Sequence, residues 1–224
     1  MRIRIAASFC ALFIFIGSAQ AQQRPPALEV QFNRAESAWR TGASLHEAKA
    51  RVDRVIRELP DDGEARKLRA QVLLALDRPE EALVDALKAV ETDSTDPEAR
   101  VVLCETAIAA GEPDLARREL DAAASRSLDH PALNVRLSAT SIALGQLERA
   151  ESFARRALEL SPVSPQAHYQ LARVLVRRGR NDDAIDIIGR GLQNAAVDAE
   201  AIRTDSILQI LTGDPRFRDF LSPN

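Results

Sequence analysis

Three histidines, His46, His130 and His168, and two cysteines, Cys10 and Cys104, are the side chains of this 224-residue sequence best suited to hold a transition metal. A zinc or iron centre gathers three or four such ligands from short, local spacings and backs each imidazole with a second acceptor. Here His46 lies far from the others, His130 and His168 have no cysteine beside them, and no second-shell pattern accompanies either. His-Glu-x-x-His, a glycine-rich phosphate loop after a strand and a Gly-x-Ser-x-Gly elbow are all missing from the sequence. The adjacent acids Glu80 and Glu81, and Asp182 and Asp183, fall where helices begin, positions at which the helix dipole favours negative charge. They are caps before they are catalysts. The expectation is therefore no catalytic residue, no metal and no cofactor. Binding chemistry is different: Arg173 and Arg177, one helical turn apart and following Tyr169, could receive an acidic group through charge-assisted hydrogen bonds.

The elements that carry these residues recur. Gly145 and Ala150 reappear 34 residues later as Gly179 and Ala184 and 34 residues earlier as Gly111 and Ala116, with Asp77 and Ala82 one step further back and then Ala48. The column Ala157, Ala123, Ala89 and Val55 follows the same shift, while Pro162 maps to Leu128, Ser94 and Pro60. In one copy His168, Leu171, Ala172 and Leu175 form the apolar stripe of a first helix, and Ala184, Ile185, Ile188, Gly191 and Leu192 that of a second. Two helices that approach closely need small side chains at the contact. Ala48, Ala82, Ala116, Ala150 and Ala184 supply one column, and Ala70, Cys104, Ser138, Ala172 and Ser206 its counterpart. Self-similarity at this period indicates an all-α solenoid whose units bury their apolar faces only by stacking.

The first residues have another use. MRIR is basic, IAASFCALFIFIG is uncharged, and Ala19 and Ala21 stand in an A-x-A arrangement, so residues 1–21 read as a cleavable signal peptide cut after Ala21. An apolar run of this length falls short of the roughly 20 residues needed to cross a bilayer, and bulky Phe9 before Cys10 does not suit a lipoprotein signal. Removal takes away Arg2 and Arg4 and no acid, so the mature chain is more acidic by two charges than the −3 of the full sequence. Cations alternate with acids along the helices, a solvated pattern that lacks the basic footprint of a nucleic-acid binder. Only Cys104 remains after cleavage. Without an internal disulfide, stability must come from packing, and Cys104 on the buried face reads as an inert core thiol.

With these columns in place the chain resembles the tetratricopeptide repeat family, through Ala172, Gly179 and Ala184, or Gly145, Ala150, Ala157, Leu158 and Pro162. Five units follow, 29–62, 63–96, 97–130, 131–164 and 165–198, preceded by a loose leader, 22–28, and followed by C-terminal capping helices, 199–224. Arg69 and Ser141 depart from the family by standing on stripes that prefer bulky apolar residues. Glu36 occupies a normally small site in a first unit that nothing covers. At the far end Ala201, Ile202, Ser206, Leu208 and Leu211 suggest a solitary sixth first helix, and Phe217, Phe220 and Leu221 a cover for the open stack. The resemblance implies a right-handed solenoid with a concave groove lined by the inner faces of the first helices. Those positions run from polar Asn33, Ser37, Arg40 and Thr41, and Lys67, Gln71, Leu74 and Ala75, through Val101, Glu105, Ile108 and Ala109, and Val135, Ala139, Ile142 and Ala143, to Tyr169, Arg173, Val176 and Arg177. The apolar middle either packs against neighbouring helices or receives a protein or peptide segment whose acidic group meets Arg173 and Arg177. The expected protein is a periplasmic or secreted binding scaffold, monomeric and not inserted in a membrane after cleavage. Self-association into a structural assembly is the first alternative and an enzyme the weaker second.

Overall fold

The computed structural model describes residues 24–126, 129–194 and 199–221, so the expected signal peptide, its cleavage point and the column position Leu128 lie outside the described residues. First helices are α1 (Pro26–Thr41), α3 (Gly63–Ala75), α5 (Pro97–Ala109), α7 (Pro131–Ala143) and α9 (Pro165–Arg177). Second helices are α2 (Leu45–Glu58), α4 (Pro79–Thr92), α6 (Pro113–Ala124), α8 (Leu147–Leu160) and α10 (Asn181–Asn194). From α2 to α10 every second helix begins 34 residues after the one before, and so does every first helix from α3 to α9. Proline at the first turn sets many of these starts, because its fixed φ suits a helix and its missing N–H would have no partner there. Side-chain caps set others: Ser44 accepts from the Glu47 amide, Asp62 from Ala65, Asp96 from Glu98 and Ser164 from Ala167.

From α3 to α9 the first helices end in one way. Gly111, Gly145 and Gly179 have φ of 77°, 73° and 75°, and Asp77 takes the same left-handed place at 58°. The following amides, of Arg78, Glu112, Gln146 and Arg180, reach back 2.8–2.9 Å to the carbonyls of Leu73, Ala107, Ser141 and Leu175. This Schellman closure reverses the chain into the second helix without leaving those carbonyls unpaired.

Each helix packs on the next, and each first helix also touches the first helix of the adjoining unit, the pattern of a repeat solenoid. Both small-residue columns sit where they are needed. Ala48, Ala82, Ala116, Ala150 and Ala184 are fully buried, as are Ala70, Cys104, Ser138 and Ala172. The columns touch directly: the Cys104 thiol donates to the Ala116 carbonyl at 3.2 Å and the Ser138 hydroxyl to the Ala150 carbonyl at 2.9 Å.

Several expectations need correction. Residues 24–28 are not a loose leader: helix α1 begins at Pro26, and the Arg24 guanidinium binds Asp62 at 2.5 and 2.8 Å while stacking 3.7 Å from the Phe32 ring centre. A continuous sixth first helix does not form. Helix α11 (Ala199–Thr204) stops early, a 3-10 helix follows at Leu208–Gly213, and Ser206 is exposed instead of joining the small column. Arg69 is not accommodated by apolar repacking. Its guanidinium donates twice to Asp85, both at 2.6 Å, and once to Asp53 at 3.0 Å, and Arg66 adds a third bond to Asp85 at 2.9 Å. Ser141 is fully buried, with a hydroxyl that finds no hydrogen-bond partner. The expected end cover exists. Helix α12 (Pro215–Leu221) buries Phe217 with Leu208, Leu211 and Ile202, and lays Phe220 so close over Gly189 that a Cβ there would stand 2.7 Å from the ring.

Candidate functional site

The concave side of the first helices holds an open groove of about 810 Å³ spanning α1 to α7, with Leu74, Ala75 and Gln71 on its floor, Trp39 and Arg40 at one end and Glu98, Glu105 and Arg136 at the other. Five of the inner-face positions expected from the sequence, Arg40, Gln71, Leu74, Ala75 and Glu105, therefore line one cavity. Ile108 and Val135, which do not line it, are half-buried, and Ala109 and Ala143 are exposed. Val101 and Ile142 are a correction. Val101 is 0% exposed and packs with Cys104, Ala107 and Leu137, while Ile142 is 5% exposed and packs with Ala150 and Val174. Both belong to the packing between units, which is where the alternative reading of the apolar middle put them, and offer a ligand almost no surface.

Two cations tie the groove wall together, and one of them, Arg136, was missing from the expected set. Arg136 on α7 reaches back to Glu105 on α5 through a forked pair of bonds at 2.8 and 2.6 Å and lies 3.5 Å from Glu98. Lys67, expected on the polar part of the floor, is buried and spans forward from α3 to Asp96 at 2.8 Å and Glu98 at 3.2 Å, holding Glu64 at 2.9 Å as well. Burial opposes the charge on both, but the carboxylates more than offset it and hold each pKa above its ordinary value. Glu98 thus bridges units two, three and four. The pairs Lys67–Glu98 and Arg136–Glu105 share a separation of 31 residues, one repeat less about one helical turn. That spacing was a usable signal, and a stripe drawn along one helix could not register it.

The C-terminal end of the groove is already engaged. The Tyr169 hydroxyl donates to the Asp205 carboxylate, and Arg173 Nε lies 3.0 Å from the same oxygen without the alignment of a hydrogen bond, so that contact is coulombic. The Arg173 guanidinium also sits 5.6 Å from the Tyr169 ring centre. Asp205 Oδ1 meanwhile accepts from the amides of Ile207 at 2.7 Å and Leu208 at 3.1 Å. Burial first, then the hydrogen bond to Asp205 and lastly its charge, push the Tyr169 phenol up to about 12. Arg177 is exposed and forms no ion pair among the described residues.

His168 is buried, its Nδ1 lying 2.9 Å from the Ser164 carbonyl. Among the described residues no group of three His, Cys, Asp or Glu side chains could hold a metal ion, and no helix is long and apolar enough to cross a membrane.

Tetratricopeptide repeat profiles match residues 32–97 and 105–165, and a second such profile matches residues 141–204. Comparison with curated proteins finds no match. Among solved structures, a thermophilic tetratricopeptide protein of Thermus thermophilus superposes with a TM-score of 0.70 at 21% identity, over 87% of this chain and 98% of that one. PilW, a type IV pilus biogenesis factor, gives 0.71 at 18% identity over 88% and 91%. MamA of Desulfovibrio magneticus gives 0.57 at 18% over 76% and 96%. At such identities these structures are similar in fold.

Proposed function

The chain belongs to the tetratricopeptide repeat family, and from that premise we propose that it is an exported scaffold of the cell envelope that holds a segment of another protein in its concave groove. The observation that carries this reading is the cavity over Leu74, Ala75 and Gln71, closed at its ends by Trp39 and by the Arg136–Glu105 pair. Its charged groups are satisfied by one another, so an occupant gains mainly by covering Leu74, Ile108 and Val135 and by hydrogen bonding to Gln71. While Asp205 holds Arg173, Arg177 is the cation left at that end for an acidic residue of the partner. The mechanism is complementarity on a rigid surface, without catalysis. Export rests on residues 1–21, and envelope membership has a weak parallel in the fold shared with PilW.

Photo-cross-linking residues placed at Ala75 and Ala109, with Val84 and Leu87 on the convex surface as controls, test the groove in cells of a secreting host. The expected result is a partner captured from the two groove positions, in a protein whose intact mass begins at Gln22. Capture from the convex positions alone overturns the groove, and a retained residue 1–21 segment overturns export.

A further inference from the structure

Helix α11 breaks at Thr204 although no proline or glycine stands between Ala199 and Leu211. Local propensity alone would let the segment continue as a sixth first helix. The break coincides with Asp205, whose carboxylate leaves the helical path to meet Tyr169 and Arg173 and caps the 3-10 turn that follows. Next along, Ile207 packs on the cluster of Ile142, Ala150 and Val174, and Leu208 and Leu211 are buried. An acidic group on an apolar segment is the chemistry that the groove was expected to receive at Arg173, and here the chain supplies it from its own sequence. We infer that Tyr169 and Arg173 form a carboxylate-binding site filled in cis by Asp205, and that residues 205–211 compete there with an acidic, aliphatic segment of a partner protein.

The competition is stringent, because a tethered ligand enjoys an effective concentration in the millimolar range. A partner must match that, or bind after Asp205 has let go. Release costs no backbone hydrogen bonding, since residues 199–211 can then close into one helix. This inference rests on the groove reading, but it concerns the end of the groove remote from Ala75, so the two can fail separately.

Tyr169 is the single tyrosine of the chain, and its ionisation can be followed by absorbance. In the full mature protein Tyr169 is expected to stay protonated at about pH 11, and in Asp205→Asn to titrate below the parent, losing the part of the rise that Asp205 adds to that of burial. A fluorescent peptide, RTDSILQILTG, is then titrated by anisotropy. Asp205→Asn should bind it about ten-fold or more tightly than the parent, adding Arg173→Ala should abolish the gain, and Asp205→Glu should behave like the parent. Far-UV helicity confirms that each variant is folded. A parent Tyr169 that titrates at its ordinary value, equal peptide binding by parent and Asp205→Asn, or binding indifferent to Arg173 overturns the inference, while cross-links at Ala75 would leave the central groove standing.

Discussion

Arg69 offers a stringent test of how this solenoid is held together. It occupies a stripe position that suits a bulky apolar residue, so Arg69→Leu would be harmless if the arginine were an accident. The structure predicts the opposite. Asp85 is 2% exposed and accepts three bonds, two of them from Arg69 at 2.6 Å and one from Arg66 at 2.9 Å. Leucine at 69 leaves that carboxylate buried with Arg66 alone, and breaking such a pair from one side costs about 3–5 kcal/mol. For a domain of this size the loss corresponds to roughly 6–20 °C in Tm. Asp85→Leu alone leaves Arg69 only its bond to Asp53 and Arg66 only its bond to the Pro60 carbonyl, and should also be harmful, though less so. The double variant removes both charges, leaves Arg66 its bond to the Pro60 carbonyl at 2.9 Å, and should return to within about 1 kcal/mol of the parent. Urea titrations of the four proteins by far-UV circular dichroism close the cycle. A single Arg69→Leu loss below about 1 kcal/mol, or a double variant whose loss equals the sum of the singles, refutes the reasoning. There is a pH signature too. Burial raises the pKa of Asp53, but hydrogen bonds from Lys49 and Arg69 outweigh it and hold the pKa below 3.8. This stabilisation is therefore complete above the unfolded pKa and fades as pH falls through the folded one; Arg69→Leu should lose part of that acid dependence.

Ala150→Leu should cost about 1–3 kcal/mol or more by forcing a fully buried helix contact apart, while Ala109→Leu, on an exposed groove position, should be close to neutral; equal losses of Tm would show the register to be wrong. At Asp77, with φ of 58°, stability should follow Gly at least equal to Asp and Asp above Ala by about 1 kcal/mol, because alanine tolerates the left-handed region least; chemical denaturation of the three proteins gives the order. Gly189→Ala should displace the Phe220 ring and cost about 1–3 kcal/mol, whereas in a Phe220→Ala background the same change should cost almost nothing, and a loss undiminished there would mean that the cap is not what the glycine accommodates.

The repeat was legible because it is written in small residues. Ala48 through Ala184 stand where helices touch, and Gly111, Gly145 and Gly179, with Asp77 in the same place, where the chain reverses, so the period, the turns and the helix pairs could be read from one sequence. What escaped were side chains that reach between units. Arg136 and Glu98 lie beside the expected stripe, and only the juxtaposition of α5 and α7 brings their charges together. Arg69 looked like a defect because its partner Asp85 belongs to another helix. Val101 and Ile142 were placed in the groove by counting along an isolated helix, but the neighbouring first helix overhangs that edge of the stripe and buries them. The break at Asp205 had only a weak local signal, an aspartate able to cap the amides of Ile207 and Leu208, since its partners Tyr169 and Arg173 lie more than thirty residues away.

The buried thiol of Cys104 has a practical consequence. Its side chain is 0% exposed, it donates to the Ala116 carbonyl, and desolvation pushes its pKa up to about 12. Reaction with a thiol reagent needs an accessible thiolate, so in a chain lacking residues 1–21 modification can proceed only while the middle of the stack is open. The rate of that reaction is then a clock for the opening of the third unit, running without any engineered probe and independent of events at the two ends. In a solenoid, where units can open separately, a single interior clock distinguishes fraying from collapse, which no global melting curve can do.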